Sequence, residues 1–126
     1  MMRTTSDDGE MARWYAGARV VIGATLLVMP RLLTGWIGDD ARRPGTRAIA
    51  RCFAARDLAI GAGTLLAMAD GAPLRRWLQV GAASDAADAV ASLLALGRIP
   101  TRKALTAMAA AVGGAAAGAH LAQRVP

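Results

Sequence analysis

The chain alternates between four long apolar runs and short polar segments. The runs cover about residues 14–37, 48–69, 77–97 and 104–122. Each has about 19–24 residues, the length that crosses a hydrocarbon layer of ~30 Å as a helix rising 1.5 Å per residue. None shows the alternation of a strand, and alanine, which dominates them, is the best helix former. The pattern predicts an all-α fold, a bundle of four transmembrane helices in up-down-up-down order.

The polar segments between and beside the runs mark the ends of these helices. They are rich in glycine, proline and arginine, and Gly71 and Pro73 form the tight second connection. We interpret residues 1–13 as a polar N-terminal tail and residues 123–126 as a short C-terminal tail, with one membrane domain over 14–122. The N-terminal tail is acidic and no small-residue cleavage site follows the first run, so we expect that run to be retained.

Composition supports a membrane location. Hydrophobic residues make up 55% of the chain, charged residues 19% and aromatic residues only 4%. Small residues give a poor water-soluble core, but in a bilayer they let helix backbones approach closely. Trp14 and Tyr15 open the first run and Trp36 nearly closes it, as expected for aromatic residues at the two membrane interfaces. We therefore expect a multi-pass protein of the cell membrane.

A soluble, alanine-rich helical interaction module is the main structural alternative. The mean hydropathy of +0.34 is modest for a membrane protein. A charge at the bilayer centre costs about 2.5–3.5 kcal/mol, and the second and third runs carry several. Against this, Thr106 is the only polar side chain of the fourth run before His120, and a helix apolar on all sides must be deeply buried or lie in lipid. The membrane fold is therefore the preferred interpretation.

Charged residues inside the runs form the candidate functional feature. Asp85 and Asp88 are spaced to share one helix face, and three arginines balance three aspartates over the first three runs. Depths along the helices predict that Arg19 meets Asp85 and that Arg56 meets Asp88. The candidate intramembrane polar network comprises Arg19, Arg51, Arg56, Asp57, Asp85, Asp88 and Ser92.

Two interpretations of this network remain open. Ion pairs between helices can act as structural contacts that fix their register. Alternatively, carboxylates beside arginines can line a polar cavity that binds a small ligand or relays protons. The structural interpretation is preferred.

Glycine spacing in the fourth run predicts a close helix contact. Gly114 and Gly118 are four residues apart and therefore lie on one face. Lipid gains nothing from a glycine surface, so we expect both glycines to face another helix.

The sequence contains no catalytic, cofactor-binding or metal-binding pattern. Cys52 is the only cysteine and is expected to be a buried thiol, and His120, the only histidine, has no partner motif. We therefore expect neither an enzyme nor a cofactor. The net charge is +6, but the arginines lie between apolar runs rather than with stacking aromatics on one face, so we expect no nucleic acid. The expected partners are the lipid bilayer and further copies of the chain in a homo-oligomer.

Several short motifs carry a resemblance to known proteins. They are R-x-x-x-G in the first run, P-R at its end, A-R-D-L-x-x-G-x-G-T-L in the second run and S-D-x-x-D in the third. With these motifs the chain resembles small four-helix membrane proteins of actinobacteria and, more distantly, DoxX-type four-helix membrane proteins. The resemblance covers about residues 14–122 and implies four transmembrane helices. It transfers no catalytic residue.

The sequence thus predicts a small integral membrane protein with a charge-paired polar core between its helices, and it assigns no activity. Two alternatives stay open: a small-solute or proton-linked transporter, and the soluble helical interaction module.

Overall fold

The computed structural model describes residues 6–126, and over this range the protein is all-helical, with four long helices and one short helix. The helices are α1 (Ser6–Val28), α2 (Thr34–Ile37), α3 (Pro44–Ala69), α4 (Arg75–Leu94) and α5 (Thr101–Arg124). Short 3-10 segments flank α2 on both sides. No strand occurs in this range apart from a single isolated bridge between Leu96 and Ile99. The predicted all-α class with four long helices is confirmed.

The long helices form two antiparallel hairpins. Helix α1 packs along α3, and α4 packs along α5. Gly23 lies against Ala54 while Gly61 lies against Ala16, which shows that α1 and α3 run in opposite directions. The two hairpins meet over much smaller contacts, between α3 and α4 and between α1 and α5. The resulting order is up-down-up-down.

The first predicted helix, 14–37, differs from the observed elements at both ends. Helix α1 ends at Val28, and Pro30 opens a 3-10 turn instead of continuing the helix, because proline has no backbone N–H to donate. At the other end α1 begins at Ser6, inside the segment interpreted as a tail, where acidic residues suit the positive end of a helix dipole. The first five residues of that predicted tail lie outside the described residues.

The other long helices begin two to four residues before their predicted starts, at Pro44, Arg75 and Thr101. Helix α4 ends at Leu94, earlier than the predicted 97, and a turn through Gly97, whose φ is +79°, follows it. The early starts arise because a polar or charged residue ends an apolar run without ending a helix.

Two polar contacts join the ends of the hairpins. At one end Arg124 Nη1 lies 3.8 Å from Asp8 Oδ1 and pairs the start of α1 with the end of α5. At the other end the ammonium group of Lys103 donates to the carbonyl oxygen of Thr34 at 2.8 Å, which joins α5 to α2. Both contacts connect the first hairpin to the second, where helix–helix packing is weakest.

The interior of the bundle is built from small residues, while many large apolar side chains lie on the outside. Most buried positions of the long helices are alanine or glycine, and Leu78 and Thr64 are the largest side chains that are fully buried. In contrast, Val28 is 76% exposed, Leu94 69% and Leu66 65%. This distribution is the reverse of that in a soluble globular domain, in which Leu and Val are among the residues most often buried.

Cys52 is exposed, so the expectation of a buried thiol is wrong. Ala50 and Ala54 face inward on α3. Cys52 lies two residues from each, which is about 200° around the helix, and it therefore points away from the interior.

Helices α3 and α5 are long and apolar enough to cross a membrane, by length and composition alone. This is weak evidence by itself, since the core helix of a soluble protein passes the same test.

Candidate functional site

A row of five side chains with alternating charges lies where the two hairpins meet. Its order is Asp85, Arg19, Asp57, Arg56, Asp88. Arg19 Nη1 donates to Asp57 Oδ1 at 2.9 Å, and its Nη2 donates to Asp85 Oδ2. Arg56 donates to both oxygens of Asp88, at 3.1 and 2.6 Å, and more weakly to Asp57 at 3.4 Å. This charge cluster begins and ends on α4 and passes through α1 and α3.

Arg19 makes the most hydrogen bonds of any residue in the charge cluster. Its side chain is only 7% exposed, and Nη2 also donates to the carbonyl oxygen of Gly81 at 3.0 Å. A Cβ atom at position 81 would lie 3.3 Å from Arg19 Nε, so the glycine leaves room for the guanidinium beside the α4 backbone. One arginine on α1 thereby holds α3 and α4.

Tyr15 contacts the charge cluster, although its position at the start of an apolar run predicted a membrane interface. Its hydroxyl accepts a hydrogen bond from Arg19 Nη2 at 2.9 Å. The hydroxyl proton has two acceptors within reach, Asp85 Oδ2 at 3.1 Å and the Gly114 carbonyl at 3.2 Å. The sequence does contain a sign of this contact, because Tyr15 and Arg19 are four residues apart and so share a helix face.

Both predicted packing glycines face other helices, as expected, but they make room for polar groups. A Cβ atom at Gly114 would lie 2.5 Å from Asp85 Oδ2, and one at Gly118 would lie 2.5 Å from the Tyr15 hydroxyl. The glycine face of α5 therefore closes over the charge cluster.

The structure brings together both predicted ion pairs, Arg19 with Asp85 and Arg56 with Asp88. It does not place Arg51 in the network, and that prediction is wrong. Arg51 is exposed, and its Nε donates to the carbonyl oxygen of Leu27 at 3.3 Å. Five residues along a helix correspond to a rotation of about 140°, so Arg51 and Arg56 cannot both face α4.

Because Arg51 lies outside the charge cluster, the charge balance of the cluster differs from the predicted one. The sequence count was three arginines against three aspartates, but the charge cluster holds two arginines and three aspartates. With every group ionised, it carries a net charge of −1.

A cavity of about 390 Å³ opens beside the charge cluster, between the hairpins. We call it the central cavity. Its polar floor consists of Arg56, Asp57, Asp85, Asp88 and Ser92, so Ser92 lies beside the cluster as predicted from its helix face. Its walls are apolar and include Leu26, Phe53 and Ala111. A larger depression of about 730 Å³ lies at the other end of the bundle, near Trp14 and Val125, away from the charge cluster.

Within residues 6–126, no group of three or more His, Cys, Asp or Glu side chains is arranged to hold a metal ion. Comparison of the chain with protein-family models, with curated proteins and with solved structures found no match.

The pairing of Arg56 with Asp88 can be measured by a double-mutant cycle. Arg56→Gln and Asp88→Asn should each lower stability in detergent, because each leaves a charge without its partner. Both side chains are about one third exposed, at 30% and 32%, so we expect a coupling energy of about 1 kcal/mol. The double variant should recover part of the loss.

The exposed pair of Arg42 and Asp39 supplies the control, with side chains 73% and 91% exposed. Arg42→Gln and Asp39→Asn should have additive effects. Additive losses for Arg56 and Asp88 as well would refute a stabilising ion pair.

Proposed function

We propose that the chain is a small integral membrane protein of the cell membrane, whose four long helices span the bilayer around a charge-paired polar core. The observation that carries this proposal is the reversed polarity of the bundle. Arg19 is 6% exposed, whereas Val28 is 76% exposed and Trp14 is 73% exposed. Lipid accepts apolar side chains on the outside of a bundle and disfavours unpaired charges there.

The burial of α3 and α5 argues against a soluble module. In their most apolar segments, only 28% of α3 and 17% of α5 is buried within the bundle. The core helix of a soluble protein is mostly buried. In water the outward apolar surface would form large patches, each Å² of which costs about 25 cal/mol.

Helices α1 and α4 do not pass the same length-and-composition test, and their charged residues account for this. Arg19 lies within α1, and Asp85 and Asp88 lie within α4. A hydropathy average counts these side chains as if they faced the lipid. In the folded bundle they pair with charges on other helices, so the surface that α1 and α4 offer to lipid is more apolar than their sequences. This supports four spans rather than two.

In this proposal the charge cluster holds the two hairpins together, and no catalytic reaction is assigned. The bilayer is the first partner. Further copies of the chain in a homo-oligomer could cover part of the outer apolar surface, and no nucleic acid is involved. The resemblance to small actinobacterial membrane proteins and, more distantly, to DoxX-type proteins is part of the same proposal.

The second candidate function is a small-solute or proton-linked transporter. The central cavity favours it, because the cavity reaches the charge cluster from between the helices. Solute or proton flux across liposomes containing the purified protein would separate a transporter from a protein whose cluster serves only structure.

Membrane extraction tests the proposal. Membranes from cells expressing the tagged chain should retain it after washing at alkaline pH, and detergent should release it. Washing removes peripheral proteins, whereas a multi-pass bundle is held by the apolar surface of all its helices. Recovery of a monodisperse, helical protein from the soluble fraction without detergent would contradict the proposal and favour the soluble interaction module.

A further inference from the structure

We propose that the central cavity binds an organic monocation with an apolar body, such as a hydrophobic ammonium compound. This inference rests on the proposed membrane bundle and names the class of ligand that its polar core accepts. It is carried by the charge of the cluster, by two carboxylate oxygens that accept no hydrogen bond from residues 6–126, and by the apolar walls.

The charge of the site selects a cation. Arg19 lies between Asp85 and Asp57, and Arg56 lies between Asp57 and Asp88, so both guanidinium groups are already flanked by carboxylates. With every group ionised, one negative charge is left over in a region of low dielectric, where an uncompensated charge is unfavourable. A bound monocation brings the site to neutrality. An anion would increase the excess.

Two carboxylate oxygens of the charge cluster are available to a cation. Asp57 uses Oδ1 for both arginines, and Asp85 uses Oδ2 for Arg19 and Tyr15. Asp57 Oδ2 and Asp85 Oδ1 accept no hydrogen bond from any of residues 6–126. Both residues line the central cavity, with side chains 20% and 14% exposed. Each of these mostly buried carboxylates thus keeps one oxygen that can accept a hydrogen bond or meet a charge.

The walls select the body of the ligand. Apart from the polar floor, the cavity is lined by aliphatic side chains and by Phe53. Its volume of about 390 Å³ lies within the range of roughly 300–1,000 Å³ found for small-molecule sites. A bare inorganic cation would leave these walls uncovered, whereas an aromatic or branched ammonium compound would fill them and place its charge at the floor.

Calorimetric titration of the purified protein in detergent with benzyltrimethylammonium tests the inference. This probe is permanently charged, so its own protonation plays no part. Neopentylbenzene, its neutral carbon isostere, and benzylsulfonate, an anion, serve as matched ligands. We expect the cation to bind at least tenfold more tightly than the neutral isostere and the anion not to bind.

Two variants test the two parts of the site separately. Asp57→Asn removes the excess negative charge, and Ala111→Leu fills the cavity from α5 without changing any charge. Each should weaken binding of the cation at least tenfold. Ala109→Leu is the matched control, since Ala109 is exposed on the same helix and does not line the cavity. It should bind like the unaltered protein.

The outcomes are distinct. Failure of the unaltered protein to bind the cation, or equal binding of the neutral isostere, overturns the inference, as does tight binding by a folded Ala111→Leu variant. If Asp57→Asn does not fold, the Ala111→Leu result and the ligand series still decide. If the protein resists alkaline washing but binds no cation, only this inference is refuted and the proposed membrane function stands. If the protein is soluble without detergent, the proposed membrane function itself is refuted.

Discussion

Arg19→Gln should destabilise the bundle by about 3–5 kcal/mol, the largest effect of any single substitution in the charge cluster. The guanidinium lies between Asp57 and Asp85 and is 7% exposed on its side chain. Its removal leaves two carboxylates facing each other with one fewer cation, and glutamine cannot donate to both of them and to the Gly81 carbonyl. Thermal unfolding in detergent, followed by circular dichroism, measures the loss.

Arg13→Gln is the matched control on the same helix, because Arg13 is exposed and forms no ion pair with residues 6–126. It should leave the unfolding temperature nearly unchanged. Arg19→Lys should recover only part of the loss, since an ammonium group keeps the charge but cannot reproduce the planar, two-sided contact. Equal stability of Arg19→Gln and Arg13→Gln would contradict a central role for Arg19.

Gly114→Leu should destabilise the protein by about 1–3 kcal/mol or prevent its assembly, because it overpacks a closed contact. Even its Cβ atom would lie 2.5 Å from Asp85 Oδ2, and the remaining side chain would displace that carboxylate from Arg19 and from the Tyr15 hydroxyl. The loss combines steric strain with a disturbed ion pair. Unfolding temperature and elution volume in detergent report it.

The neighbouring glycine gives an unusually close control. A Cβ atom at Gly113 would meet nothing within 4 Å. Gly113→Leu should therefore leave stability unchanged or raise it by up to about 1 kcal/mol, because leucine is the better helix former. Similar losses at both positions would show that α5 does not close over the charge cluster.

The sequence by itself determined the secondary structure and much of the pairing. Four apolar runs separated by glycine, proline and arginine predict four long helices, and the described residues contain them. Depth along antiparallel helices was enough to pair Arg19 with Asp85 and Arg56 with Asp88. These features follow from local rules, namely run length, helix rise and the spacing of residues on one face.

Only the tertiary structure decided which side chains share the interior. Arg51 and Arg56 both lie within the second apolar run, but the rotation of Arg51 about α3 directs its side chain to the outside. Tyr15 was assigned to an interface by its position at the end of a run, and its hydroxyl instead contacts Asp85 and Gly114 on two other helices. The net charge of the cluster and the existence of the central cavity depend on those rotations. Helix rotation is set by packing between helices distant in sequence, which the spacing of residues within one helix does not specify.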